Sequence, residues 1–150
     1  MTDVKVLAVD ERDSNWEMSD PRFRVYLHGS GPSSTGGWTA TYDITGADVL
    51  HVIDWAQRQA EDSVTYAIAL VHDDRAHEQF SPGRGRGLIW LLGMDGNEVP
   101  ASRRGTQTQQ RMLGRRREPV GIPLADRMPQ RAPSVAPEVI NRLNRAQPPR

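Results

Sequence analysis

Apolar and polar residues alternate from Phe23 to His28, which places Phe23, Val25 and Leu27 on one face of a strand. The alternation returns from Trp38 to Ile44, with Trp38, Ala40, Tyr42 and Ile44 on one side. Between them lies a nine-residue stretch of Gly, Ser, Thr and Pro, Gly29 to Gly37. The two runs read as an antiparallel hairpin with a loop longer than the usual two to five residues. A period of 3.6 then takes over. Apolar residues at Val49, Leu50, Ile53, Ala56 and Ala60 predict a helix over 45–60, with Thr45 as its cap and Asp48 completing a capping box. Val64–Val71 reads as the next strand, and the continuous apolar run Leu88–Leu92 as a buried central one. At the start of the chain, Val4–Val9 alternates loosely and reads as a first strand. The order is βββαββ. It predicts an α+β fold, a small two-layer sandwich in which one helix covers one face of a mostly antiparallel five-stranded sheet.

The pattern fades after residue 100, and composition explains why. Seven of the eleven prolines and eleven of the nineteen basic residues lie in 101–150, with no aromatic residue among them. Such a stretch buries too little apolar surface to offset its chain entropy. The chain is therefore expected to divide into an acidic α+β domain, 1–100, and a largely disordered tail, 101–150. A short helix is expected near 136–146, where Val139, Ile140 and Leu143 make a narrow apolar face after Pro137 and Glu138. The formal net charge of zero conceals the same division. Residues 1–100 carry 16 acidic and 8 basic side chains and 101–150 carry 3 and 11, giving −8 and +8. Lys5 is the single lysine, a bias that GC-rich coding explains and that also favours forked contacts to phosphate or carboxylate.

The absence of cysteine excludes disulfides and thiolate metal sites. No basic leader precedes an apolar run at the N-terminus and no window approaches a membrane span, so the expected place is the cytoplasm, with no membrane partner. His72, Asp73, Asp74 and His77 share one polar stretch and offer imidazole and carboxylate ligands, though at no standard metal spacing. They are the basis of a metal-dependent hydrolase reading. Gly83-Arg84-Gly85-Arg86-Gly87 has the backbone to wrap an anion, but it leads into a strand and lacks the Lys-Ser or Lys-Thr of a nucleotide loop. No set of nucleophile, base and oxyanion donors converges.

Two binding surfaces remain. On the helix, His51, Asp54, Trp55 and Arg58 lie opposite the Val49–Ile53–Ala56 stripe and form the expected partner-binding face, since Trp and Arg are enriched at interface hot spots. In the tail, Arg103, Arg104, Arg111, Arg115, Arg116 and Arg117 form a basic run suited to phosphate backbones. That run lacks interleaved aromatics for base stacking. The chain accordingly reads as a non-enzymatic accessory or regulatory domain that binds another protein and needs no cofactor. Nucleic-acid association through the basic arm is the alternative, and the metal hydrolase a further one.

Overall fold

The two alternating runs pair as antiparallel strands in a computed structural model, which describes residues 4–29, 33–60 and 63–130. They are β1 (Phe23–Gly29) and β2 (Trp38–Ile44), in a register that sets Val25 opposite Tyr42 and Leu27 opposite Ala40. Helix α1 (Val49–Gln59) follows, then β3 (Val64–Asp73), a short helix α2 (Arg75–Phe80), β4 (Arg86–Leu92) and helix α3 (Arg103–Gly114). The fold is α+β, with one antiparallel sheet in the order β2-β1-β3-β4.

The core forms where α1 crosses one face of the sheet. Phe23, Val25, Leu27, Trp38, Tyr66 and Ile68 supply the sheet side, and Val52, Trp55 and Ala56 the helix side. Asp48, rather than Thr45, caps α1: its carboxylate accepts from His51 N at 3.0 Å while His51 Nδ1 accepts from Asp48 N at 3.2 Å. The helix is also rotated from the expected stripe. Val49 is exposed and Ile53 half-buried, whereas Trp55 is only 5% exposed and meets Tyr42 edge-on at 5.4 Å. Residues 49, 53 and 56 compete with 52, 55 and 56 for the sheet. The second set wins because an indole buries far more area than a valine.

The sheet has four strands among the described residues, not five. Val4–Val9 joins no ladder, and its valines and leucine are at least three-quarters exposed. An apolar alternation without a partner edge does not make a strand. The Leu88–Leu92 run is an edge strand, not a central one. Its continuous apolarity has two causes. Leu91 is one residue too many between the pairs Ala69–Trp90 and Ile68–Leu92, a bulge that breaks the alternation. Apolar neighbours then receive it on both faces: Trp90 meets Tyr26 at a tilt, with ring centroids 5.2 Å apart, and Leu92 packs against the core.

Residue 100 is not a boundary of contacts: the described residues 103–128 include a helix and side chains packed on the rest of the fold. Ser102 caps α3, accepting from Gly105 N at 3.1 Å. Met112 is buried over Gly93 and Ala67, and Ile122 and Met128 are buried too. Two polar clamps hold this stretch to α1. Gln57 donates to Val120 O at 2.8 Å and accepts from Val120 N at 3.0 Å, and the Asp54 carboxylate accepts from Met128 N at 2.8 Å. A stretch poor in apolar residues is thus held by three buried side chains and by α1's own polar groups. The helix expected near 136–146, with Val139, Ile140 and Leu143, lies outside the described residues.

Candidate interaction surfaces

The expected partner-binding face of α1 is not an open face. Trp55 is core, and Asp54 is 4% exposed, bonded to Met128 N and paired with Arg58 Nη2 at 2.7 Å. His51 is spent on the capping box and only Arg58 is exposed. The reason is coverage from two directions: the sheet takes one side of α1 and the 120–128 segment takes the flank that the periodicity left to solvent. A carboxylate two positions before Ala56 gives no signal in sequence that a backbone N–H will meet it.

The stretch 72–87 is likewise committed to structure. Asp73 ends β3 and pairs with Arg86 at 2.8 Å, its register neighbour on β4. Asp74 caps α2 by accepting from His77 N at 3.0 Å. No group of three His, Asp or Glu side chains is placed to hold a metal ion among the described residues. The Gly-rich loop does wrap an anion, but it is the chain's own: Glu78 accepts from Gly83 N and Gly85 N, each at 2.7 Å. These two N–H groups hold the Glu78 carboxyl below its ordinary range. A Cβ on Gly85 would stand 2.6 Å from Glu78 Oε2 and 2.8 Å from Asp74 O, so the cradle requires glycine there.

The opposite face of the sheet carries the buried titratable group. His28 is fully buried beside Tyr26. Its Nε2 accepts from Gly96 N at 3.1 Å, which leaves the proton on Nδ1, 3.2 Å from Thr39 Oγ1. Asn97 also donates to Thr39 Oγ1, at 2.7 Å, and accepts from Gly37 N at 2.9 Å. The imidazole is thus a staple between β1, Thr39 on β2 and the loop 95–97, from which Asn97 carries the tie on to Gly37, with neither nitrogen left for a substrate. Burial pushes its pKa below the ordinary value, and the Asp95 charge opposes this only in part. The unfolded chain therefore takes up a proton near pH 6.5 that the folded one refuses. Stability present above pH 6.5 should fall as the pH drops toward the folded pKa, with a slope of up to ~1.4 kcal/mol per pH unit from this group. Urea midpoints measured from pH 7.5 to 5.0 should show this slope, and His28→Asn should remove it. An equal slope in the variant would place the titration elsewhere.

A second polar cluster ties β1 to β2. Asp43 receives Arg24 Nε at 2.7 Å and Arg22 Nε at 2.6 Å. Arg24 is its directly opposite neighbour in the β1–β2 register. The two guanidiniums depress the Asp43 carboxyl to about 2. The only sequence signal was an arginine and an aspartate at matching ends of a hairpin.

The tail arginines do not act as one run. Arg104, Arg111 and Arg115 line a single groove of about 900 Å³ between α3 and the end of β4. Arg116 turns away and donates to Ser34 O at 3.3 Å, while Arg103 and Arg117 are exposed and line no part of this groove. Arg115 reaches toward the core and acts electrostatically on the buried Tyr66 phenol, whose pKa burial raises.

Within the sheet, the exposed apolar side chains are concentrated on β4. Its outer edge has no strand partner among the described residues, and Ile89, Trp90 and Leu91 are 53%, 37% and 43% exposed. Val4, at the end of the exposed Val4–Val9 segment, lines the same groove as Trp90 and Leu91. No described helix is long and apolar enough to cross a membrane. Comparison with known proteins returns no matching family, curated protein or solved structure.

Proposed function

We propose that this chain is a non-enzymatic protein-binding accessory domain, which docks an extended apolar segment of a partner protein as an added strand on β4. The supporting observation is the open β4 edge itself, with Ile89, Trp90 and Leu91 exposed on it. An unpaired edge offers a row of backbone donors and acceptors, and alternate side chains beside it supply the pockets that make such pairing selective. Natural edges are usually blunted by charge or proline. Here Arg86 is the only charged residue in the strand, and it is already paired with Asp73. The hydrolase reading loses its footing because Asp73 and Asp74 are engaged in a salt bridge and a cap.

Ile89 tests the proposal, because it is more than half exposed and a charge there burdens docking more than folding. Full-length protein should capture a protein partner from nuclease-treated lysate. Ile89→Arg should lose that capture while its melting midpoint stays within a few degrees of the wild type. Equal capture by both proteins would overturn the assignment of the edge, and capture abolished by nuclease alone would overturn the protein-binding reading.

A further inference from the structure

We propose that the groove between α3 and the end of β4 is a binding site for single-stranded nucleic acid, with phosphates on Arg104, Arg111 and Arg115 and a base against Trp90. The inference goes beyond the docking reading: the two share Trp90 and Leu91, while Ile89 lies outside the groove and Arg104 and Arg111 outside the edge, so each is tested by its own variants.

Spacing comes first. Arg104, Thr108, Arg111 and Arg115 follow one another at intervals of four, three and four residues, which aligns them on one face of the helix end. Eleven residues of helix rise about 16 Å, so three guanidiniums are spread too widely for one small anion and suit a chain that repeats its charge.

The second point is electrostatic. Arg12, Arg22, Arg24, Arg58 and Arg86 each form a salt bridge with an aspartate. Among the described residues Arg104, Arg111 and Arg115 form none, and none of the described carboxylates lines their groove.

Third, the floor is aromatic. The sequence around these arginines contains no aromatic residue, which argued against stacking. The fold supplies one from β4: Trp90 lines the groove, 37% exposed and braced by Tyr26. A positive groove with an aromatic platform is the arrangement that holds single strands without reading sequence, because every base offers a π face. An acidic peptide would satisfy the arginines and leave Trp90 unused.

Fluorescence anisotropy of a labelled twelve-nucleotide oligo-dT, titrated with full-length protein at several salt concentrations, tests the site. Three phosphate contacts on a single strand predict a log–log salt slope of about −2. Arg104→Ala with Arg111→Ala should bring the slope toward about −0.7 and weaken binding at least tenfold at low salt. Trp90→Leu should weaken binding roughly tenfold with the slope unchanged. Circular dichroism melts establish that the variants are folded, and Arg104→Glu serves as a second exposed-site variant if the double one is not. Absence of binding at low salt would overturn the proposal. So would a slope and affinity unaffected by the double variant, since binding would then belong to other arginines. Equal affinity for poly-glutamate of the same charge, with Trp90→Leu silent, would reassign the groove to acidic protein segments.

Discussion

Trp55→Ala should destabilise the protein by about 3–5 kcal/mol, the usual cost of removing a large buried aromatic side chain. Trp55 is 5% exposed, its ring meets Tyr42 edge-on, and it belongs to the cluster that joins α1 to three strands and to Met128. Alanine would leave a cavity at the one place where helix, sheet and C-terminal segment meet. A domain of this size has a total stability of about 5–15 kcal/mol, so the variant should sit near the edge of folding, with a midpoint lower by on the order of 10–20 °C. Urea denaturation of both proteins measures this. A midpoint within a few degrees of the wild type would mean that α1 does not present this face to the sheet.

The second large effect concerns the segment beyond residue 100. A chain ending at Pro100 should lose on the order of 5 kcal/mol and melt without a sharp transition. Three buried side chains leave with the segment, Met112, Ile122 and Met128, each worth about 1.5–3 kcal/mol as an upper figure. Asp54 then keeps Arg58 but loses Met128 N, and Gln57 loses both of its bonds. Calorimetry of the truncated and full chains decides the matter. A truncated chain with the full transition would show that 1–100 folds alone, as the charge division of the sequence suggests.

Parts of this fold were plain in the residues and parts were not, for physical reasons. The β1–β2 hairpin and α1 each carry a period that one buried face imposes, β3 shows as an apolar run because both its faces are covered, and each forms within a few residues of the expected bounds. Which face of α1 turns inward was not legible, because two overlapping apolar stripes share Ala56. β4 was visible as a strand but not as an edge: apolarity on both faces marks a central strand, and here a bulge and an aromatic contact produce it. α3 was invisible because Met112, Leu113 and the Ser102 cap are its only apolar and capping signals in a helix otherwise made of Arg, Gln, Thr and Gly. Of the candidate residues, Arg104, Arg111 and Arg115 converge on one groove, whereas the His51–Arg58 face was dissolved by a segment more than sixty positions away.

The clamp between Gln57 and Val120 has a consequence for how this sequence can drift. A carboxamide that gives one bond and takes one bond recognises a peptide unit and is indifferent to the side chain carried on it. The same holds for Asp54, which accepts from the backbone of Met128. Two residues of α1 thus fix the path of the segment while leaving the identity of most of it unconstrained. Homologous chains should keep Gln57 and Asp54 and vary freely between Arg117 and Ala125, Ile122 excepted. In an aligned family this stretch would look like spacer, although the fold depends on where it runs.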